Sequence, residues 1–443
     1  MNAGGARGGD GLAASDFDFD VDVDVDVDFD EAYFRDPAAA HERLLAAGPI
    51  HRAVLPSGEA AWLLVGYEQV RAALTDPRLS VDKRHAGPGY TGLSLPGALD
   101  RNLLSLDGAD HARLRRLAAP AFTADAVAPL EPRIRATAQG LFEALAAAGG
   151  GDLIGEFAAP LARDTLRRLL GVPDGQREAF VAHVETLMSA AAGPDEQRAA
   201  GGALLRIAAA LVEAKRREPG PDLISALVDA RDGEDRLSED EMLSLVFLLV
   251  MAGYETTTAL IGTAALALLE SGAGDAADAP GVDGANASDA SDAVNNAAYA
   301  KAADAVNKAD SAAAVDTADT VDRLIDRALR EQAPAPWSIR RFATCDLTVA
   351  DTLVRAGEPV LLGLASANAD PAAPSERHLS FGHGAHYCLG APLARFQARI
   401  ALEVVAAERA RIRLVSESAD LGWRRSIRIR ALETLPVSIK AIN

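Results

Sequence analysis

The stretch Phe381-Gly-His-Gly-Ala-His-Tyr-Cys388-Leu-Gly390 decides the fold. It places a cysteine in a loop rich in glycine and histidine, just before a predicted helix over 391–407. The thiolate is the form of cysteine that binds metal, and it needs a positive environment at neutral pH. A helix N-terminus supplies part of that environment through its free N–H groups and its dipole. Gly384 and Gly390 let the backbone approach a flat partner where a Cβ atom would collide.

A cysteine thiolate in such a loop can be the axial ligand of haem iron. The alternative is a buried free cysteine at the start of a helix, which is a common environment for this residue. The spacing of Phe381, Gly384, Cys388 and Gly390 resembles the haem-ligand loop of the cytochrome P-450 superfamily. His386 and the run Gly-Ala-Pro-Leu-Ala-Arg that follows the cysteine fit the same pattern.

Composition excludes several classes of protein. The 443 residues include two cysteines, Cys345 and Cys388, which exclude a disulfide framework and a four-cysteine zinc site. Two cysteines suit a reducing, cytoplasmic compartment, and Cys345 is expected to be an ordinary core or surface residue. The N-terminus lacks the apolar core of a signal peptide. The most apolar run, 243–252, is too short to cross a bilayer, so no membrane anchor is expected.

The negative charge of the chain is concentrated in two segments. The formal net charge is −20, and residues 16–30 hold eight Asp while residues 271–320 hold nine Asp against two Lys. The acidity of the remaining chain is therefore small, and binding to nucleic acid is not expected.

Two low-complexity segments bound the predicted domain. Residues 1–30 are predicted to be a disordered acidic leader, because alternating like charges repel between adjacent strands; a calcium-binding tract is the alternative. Residues 31–443 are predicted to form one catalytic domain. Residues 271–320 are predicted to be a flexible insertion without enough apolar surface to fold, although 297–320 has the composition of a helix. Order is predicted to resume at Val321.

The pattern of the body is mainly helical. A hairpin is predicted from 51–55 and 60–66, joined by Pro56-Ser-Gly58. Short β segments are predicted at 341–344, 348–354, 359–362 and 426–439, the last with a turn near Glu433. Helical patterns cover 67–75, 109–118, 124–147, 155–170, 175–192, 196–215 and 221–231.

The longest predicted helix runs from a capping box at Ser238 to about Ser271 and has an apolar, buried middle. Gly253 lies midway and costs helix stability, which indicates a local opening or a close approach by a ligand. Glu255 and Thr256 follow, and such a pair can relay protons through water. The alternative is a threonine bonded to its own helix beside a solvated glutamate.

An anion-binding pattern is formed by His111 and Arg115, which lie four residues apart on one helix face. The alternative is a pair of solvated basic residues on a surface helix. The P-450 resemblance implies that these two residues bind the haem propionates, and it assigns Arg341 and His386 to the same task.

The resemblance covers most of residues 33–440, apart from 271–320, and its style is that of soluble actinobacterial members that modify polyketides, macrolides or peptides. It implies a mainly α fold with small β sheets, the triangular prism of the family, with a long central helix under the haem. It implies haem b (iron protoporphyrin IX) as cofactor, with Cys388 as iron ligand. Ala252 and Gly253 would contact the haem, and Glu255 and Thr256 would deliver protons to oxygen.

The activity implied is that of a haem-thiolate monooxygenase of antibiotic biosynthesis, an oxidoreductase that hydroxylates or epoxidises an apolar small molecule with O2. Electrons would come from a ferredoxin and ferredoxin reductase, or from a flavodoxin. The pocket would draw on the segment 84–102, His183, Met188, the helix near Val250 and Tyr254, and Ile427.

Two departures from the family pattern accompany the resemblance. The family carries Glu-x-x-Arg on the helix before the β region. Here Arg330 takes the position of the arginine, and Arg327 takes that of the glutamate. Asp326, four residues before Arg330, is predicted to pair with it instead. The segment 369–380, which leads to the cysteine loop, is shorter than in relatives. The alternative function is that of a P-450-derived helper protein that binds and activates a glycosyltransferase.

Overall fold

The computed structural model describes residue 27 and residues 29–88, 90, 101–188, 193–220, 222–229, 237–271, 312–375 and 377–441. These residues form a mainly α protein with small β sheets, as the sequence predicts. The α-helices of the described residues, numbered α1 to α15 in chain order, are Glu31–Arg35, Pro37–Ala47, Tyr67–Thr75, Gly108–Ala118, Ala124–Val127, Glu131–Ala147, Ala159–Leu169, Arg177–Met188, Pro194–Arg217, Leu223–Asp229, Glu239–Gly253, Glu255–Glu270, Ala312–Glu331, Leu364–Ala369 and Ala391–Ala407.

The strands pair into three small sheets. Numbered β1 to β10 in chain order, they are Ile50–Val54, Ala60–Leu64, Leu79–Ser80, Gly150–Asp152, Arg341–Ala343, Leu347–Val349, Thr352–Val354, Pro359–Leu362, Ile412–Leu414 and Pro436–Ile439. The largest sheet has the order β1-β2-β8-β5-β3, and the others are β4-β10-β9 and β6-β7.

The predicted hairpin is confirmed as β1 and β2. The two strands are antiparallel, with Ile50 opposite Leu64 and Val54 opposite Ala60. Gly58 has φ +81°, a conformation that side chains rarely adopt, and it closes the turn between them. Because β2 also pairs in parallel with β8, the hairpin joins the N-terminal part of the chain to the segment before the cysteine loop.

The main core fixes the helix that follows the cysteine. Buried apolar residues of α6, α12, α13 and α15 pack together, among them Ile134, Leu260, Ile325 and Ile400. Helix α15 begins at Ala391 and ends at Ala407, as predicted, and Pro392 in its first turn loses no hydrogen bond there. The loop before α15 is thus attached to a rigid element.

The boundary of the acidic leader differs from the prediction. Val27 is buried and bridges to Ala53 in parallel, and the ring of Phe29 lies 4.9 Å from that of Tyr33. Asp30 caps α1 by accepting a hydrogen bond from the N–H of Tyr33. Val27 and Phe29 belong to the folded domain because they pack in the buried cluster that includes Tyr33 and Trp337. The alternating charge pattern of the sequence does not reveal this packing. The rest of the leader lies outside the described residues.

Three segments of the second half also differ. Helix α13 begins at Ala312 rather than at Val321, because alanine-rich sequence continues the helix backwards; residues 272–311 lie outside the described part of the chain. The predicted strand 348–354 is two strands, β6 and β7, joined by a turn in which Ala350 and Asp351 have positive φ. Of the predicted segment 426–439, only Pro436–Ile439 forms a regular strand.

The long apolar helix is interrupted. The capping box at Ser238 is confirmed: the hydroxyl accepts from the N–H of Glu241, and Glu241 accepts in return, an arrangement worth about 1 kcal/mol. Helices α11 and α12 meet at Tyr254, directly after Gly253, so the helix is interrupted at the place where a local opening or a close approach by a ligand is predicted. The stretch Glu239–Glu270 is long and apolar enough to cross a membrane, but 61% of its most apolar window is buried, as in the core helix of a soluble fold.

Candidate functional site

The cysteine loop folds tightly back on itself. The N–H of Cys388 donates to the carbonyl oxygen of Phe381 over 2.8 Å, and the N–H of Tyr387 donates to that of Gly384. Gly384 has φ +72°, and a Cβ atom added there would lie 2.6 Å from Cγ2 of Thr75. The glycine predicted from spacing is therefore required by both backbone conformation and close packing.

Replacing Gly384 by Ala is expected to lower the free energy of unfolding by more than the backbone cost of about 1–2 kcal/mol, because the new methyl group meets Thr75. The matched control is Gly58→Ala, where φ is +81° but nothing lies within 4 Å of the added Cβ. Urea unfolding of the full chain measures both. Equal losses in the two variants would contradict the contact with Thr75.

The thiol of Cys388 is both exposed and closely surrounded. Its side chain has accessible surface, yet burial by the surrounding protein raises the pKa of the thiol. The N–H groups of Gly390 and Ala391 and the charge of Arg115 act in the opposite direction and favour the thiolate. The positive environment predicted at the start of α15 is therefore present.

His111 and His386 lie side by side near this thiol. Their ring centroids are 4.1 Å apart, with the planes tilted by 40°. Nε2 of His386 lies 2.8 Å from Oδ1 of Asp107, while Nδ1 of His386 and Nε2 of His111 are buried without hydrogen-bond partners among the described residues. Burial, together with the charges of His386 and Arg115, lowers the pKa of His111 to about 4.

Asp107 holds this pair in place, although sequence alone does not single it out. It is the N-cap residue of α4, but its carboxylate accepts from the hydroxyl of Ser80 at 2.6 Å and the N–H of Val81 at 2.8 Å instead of capping the helix. Burial alone would raise its pKa, but hydrogen bonds from His386 and Ser80 outweigh burial and hold the pKa well below its usual range. An aspartate just before a helix, four residues ahead of His111, is the only sequence signal for this role.

Arg341 is buried beside the same region. It donates to the carbonyl oxygens of Leu79 at 3.0 Å and Leu74 at 3.1 Å, while its Nε has no hydrogen-bond partner in the described ranges. Burial lowers the pKa of Arg341, and the charge of Asp107 opposes that change. Buried donors are normally satisfied, so an unpaired Nε marks a place for an acceptor.

The residues fit a haem. Three buried ring or guanidinium nitrogens, from His111, His386 and Arg341, have no partner in the described protein, which suits the carboxylates of a propionate pair. A thiol with two N–H donors and a nearby cation suits an iron ligand. The structure thus brings together His111, Arg115, His386 and Cys388.

The predicted acid and hydroxyl, Glu255 and Thr256, lie directly after the break between α11 and α12. The hydroxyl of Thr256 donates to the carbonyl oxygen of Ala252 over 2.7 Å, so the threonine bonds its own helix, as one of the two interpretations expects. Glu255 is not a solvated glutamate: its side chain is only 16% exposed, and Oε1 accepts from Arg424 over 2.8 Å. Arg424, far along the chain, carries no sequence signal for this contact.

Only part of the predicted substrate pocket lies within the described residues. Val250 is buried and lines an apolar cavity with Leu170, Phe180 and Phe247. Tyr254 instead lines a second, more polar cleft together with Glu255, Thr258 and Arg424. Ile427 packs against the cluster that includes Tyr33 and Trp337. Residues 89 and 91–100 and the side chain of Met188 are outside the described set, and His183 is half-buried on α8.

The predicted pair of Asp326 with Arg330 is wrong. Oδ1 of Asp326 lies 2.6 Å from Nη2 of Arg395 on α15, and Arg330 makes no ion pair with it. Arg327, which takes the position of the family's glutamate, is exposed and pairs with Glu331 at 3.0 Å. An i, i+4 spacing permits a pair within a helix, but a partner from another helix competes for the same carboxylate.

Three buried histidines make stability depend on pH. Burial, the largest cause in each case, lowers the pKa of His41 and His111 to about 4 and that of His378 to about 3, from an ordinary 6.5. The unfolded chain therefore binds protons below pH 6.5 that the folded chain does not. Stability is expected to be lost as pH falls from 6.5 to 5, at up to about 1.4 kcal/mol per pH unit for each histidine. Urea unfolding across this range measures the slope, and His378→Gln should make it shallower; a flat profile would contradict these shifts.

A mainly α fold with small sheets, a thiol at a helix start and unpaired donors beside it define the class of haem-thiolate proteins. Vitamin D(3) 25-hydroxylase of Pseudonocardia autotrophica is 33% identical over 423 residues, which cover 93% of this chain and 96% of the relative. Mycinamicin IV hydroxylase/epoxidase of Micromonospora griseorubida is 32% identical, covering 92% of this chain and 97% of the relative. The solved structure of the ligand-free P-450 monooxygenase TamI matches with a TM-score of 0.75 and 35% identity over 93% of both chains. No family model matches.

The chain belongs to the cytochrome P-450 family. It is accordingly an oxidoreductase of the monooxygenase type, with haem iron as its cofactor. The predictions of family, fold class and type of enzyme are confirmed.

Proposed function

We propose that this protein is a haem b-dependent, cytoplasmic monooxygenase that hydroxylates or epoxidises an apolar secondary metabolite of the polyketide, macrolide or peptide type. Electrons would come from a ferredoxin and its reductase. The named activities of two relatives, a vitamin D3 hydroxylase and a macrolide hydroxylase/epoxidase, support oxidation of a large apolar molecule.

The observation that carries the proposal is the environment of Cys388. Burial raises the pKa of its thiol, but the N–H groups of Gly390 and Ala391 and the charge of Arg115 act in the opposite direction and favour the thiolate that iron requires.

Each predicted site residue then has a task. Cys388 would ligate iron, and His111, Arg115, Arg341 and His386 would hold the propionates, with Asp107 orienting the ring of His386. The haem, when bound, supplies the oxygen chemistry.

The protein would supply protons and exclude water from the reacting centre. Glu255 and Thr256, at the helix break, would relay protons from water, and Ala252 and Gly253 would contact the haem. An added Cβ at Gly253 would meet only Leu166, at 3.8 Å, so the described protein does not by itself require this glycine.

The test is spectroscopic. Purified full-length protein, reduced and treated with CO, should show the red-shifted Soret band of thiolate-ligated haem. Titration with macrolide and polyketide scaffolds should then perturb the haem spectrum for the substrate class and leave it unchanged for polar controls. Protein without haem that stimulates a glycosyltransferase would overturn the proposal in favour of the helper function.

A further inference from the structure

Arg395, on the first turns of α15, connects three parts of the molecule. Its Nη2 lies 2.6 Å from Oδ1 of Asp326 on α13 and 3.1 Å from Nε2 of His378. Its guanidinium carbon lies 5.6 Å from the ring centroid of Phe381, within the range of a cation–π contact. We refer to Asp326, Arg395, His378 and Phe381 as the Asp326 cluster.

A second ion pair runs beside the cluster. Nε of Arg399 donates to Oδ1 of Asp322 over 2.9 Å, one helical turn from the first pair on both helices. The lower-numbered aspartate pairs with the higher-numbered arginine, so α13 and α15 are antiparallel here. This second pair also joins α13 to α15, but in the described residues neither partner forms a hydrogen bond, ion pair or ring contact with the cysteine loop.

The segment that leads into the cysteine loop, residues 378–380, contacts the Asp326 cluster. The side chain of His378 is 3% exposed, and its Nδ1 lies 3.2 Å from the backbone N of Ser380. A neutral imidazole accepts at one nitrogen only, so His378 accepts either from this N–H or from Arg395. Oδ1 of Asn368 accepts from the N–H of Leu379 over 2.6 Å, and its Nδ2 donates to the hydroxyl of Ser380 over 2.8 Å.

The same chain of contacts reaches the cysteine. Phe381, whose ring faces Arg395, accepts through its carbonyl oxygen the hydrogen bond from the N–H of Cys388 over 2.8 Å. Only one residue, Phe381, therefore separates the guanidinium of Arg395 from the backbone of the proposed iron ligand.

Removing one partner of a partly buried ion pair leaves the other charge unpaired. The free energy lost in this way exceeds the stabilisation that the intact pair contributes. Without the carboxylate of Asp326, Arg395 would keep its charge at 25% exposure beside a neutral histidine. Burial and the charges of Arg395 and Arg330 lower the pKa of His378 to about 3, so the ring is neutral near neutral pH and supplies no negative charge in place of the lost carboxylate. Arg395 would then turn towards water and release both His378 and Phe381.

We infer that Asp326 is a positioning residue for the Cys388 loop, acting through Arg395, His378 and Phe381. Arg327, its neighbour in the chain, has no part in this, since it is exposed and pairs with Glu331. The order of the loop is a property of the polypeptide; only its consequence for haem retention rests on the proposed function.

The experiment measures deuterium labelling of the Cys388 amide in the full-length chain. Because this N–H donates to the carbonyl oxygen of Phe381, its labelling rate reports how often the loop opens in protein produced without added haem precursor. Asp326→Asn is expected to raise this rate about tenfold, the factor that corresponds to about 1.4 kcal/mol of opening free energy.

Two controls separate positioning from general stability. Arg327→Gln should leave the labelling rate within about twofold of the parent, a change equivalent to less than 0.5 kcal/mol. Asp322→Asn should lower the unfolding midpoint as Asp326→Asn does but leave labelling slow, because its partner Arg399 forms no hydrogen bond, ion pair or ring contact with the described residues of the loop. Equal labelling rates in the Asp322 and Asp326 variants, or no change in either, would overturn the inference.

A second readout follows the haem. In protein made with haem precursor, Asp326→Asn should lower the haem retained per chain and the fraction with the red-shifted CO band, whereas Arg327→Gln should not. A parent chain that shows the labelling contrast but never binds haem would refute the proposed function and leave the inference standing. A parent with a normal thiolate spectrum and no labelling contrast would support the proposed function and refute the inference about Asp326.

Discussion

Replacing Cys388 by Ser should abolish the red-shifted Soret band of the reduced, CO-treated protein and reduce turnover to background. A hydroxyl is not ionised at neutral pH, so the N–H groups of Gly390 and Ala391 and the charge of Arg115 would have no anion to stabilise. The iron would lose the thiolate that donates electron density for O–O cleavage. Serine fills nearly the same space, so the fold should persist.

The matched control is Cys345→Ser, which removes the other thiol of the chain from an exposed position. This variant should keep the parent spectrum, haem content and turnover. Absorbance spectra and haem content per chain, measured alongside circular dichroism, distinguish a lost ligand from a lost fold. If the Cys388 variant kept spectrum and turnover, the assignment of the iron ligand would be wrong.

The parts of this protein that depend on local sequence were predictable. Helix α15 could be placed to the residue because Gly390 and Pro392 mark its start, and the hairpin β1–β2 because Pro56-Ser-Gly58 separates two apolar runs. The interruption of the long helix after Gly253 was predictable because glycine destabilises a helix interior. Each of these signals lies within a few residues of the feature that it determines.

The parts that depend on distant partners were not predictable. Asp326 is four residues from Arg330, which favours a pair within α13, yet Arg395 approaches the same carboxylate from α15. Glu255 meets Arg424 in the same way. One sequence without relatives gives no measure of which residues meet across the fold, so such pairs need the tertiary structure.

Backbone conformation supplied a further difference. The turn that divides β6 from β7 is made by Ala350 and Asp351 at φ +47° and +67°. Alanine rarely adopts this conformation, so 348–354 reads as one strand in the sequence. The surrounding hairpin stabilises it, with Leu347 opposite Val354.

Glu255→Gln is expected to lower kcat by about 10²–10⁴-fold, the usual contribution of a positioned acid, while KM and the CO spectrum stay unchanged. The carboxylate is 16% exposed and bonded to Arg424, whose own side chain is 50% exposed, so the pair extends from the helix break to solvent. A group that supplies protons repeatedly must be recharged from water, and this position meets that need. Glutamine keeps the shape and can still accept a hydrogen bond from Arg424, but it cannot release a proton.

Thr256→Val tests the second half of the relay, with Thr263→Val as its control. Both hydroxyls donate to the carbonyl oxygen four residues earlier in the same helical region, over 2.7 Å from Thr256 and 2.9 Å from Thr263. Losing such a bond should cost both variants a similar amount of stability. Only Thr256 lies beside Glu255, so only its replacement should reduce product formed per O2 consumed. If the two valine variants formed product with equal efficiency, Thr256 would be a structural threonine, and Glu255 would have to deliver its proton through water alone.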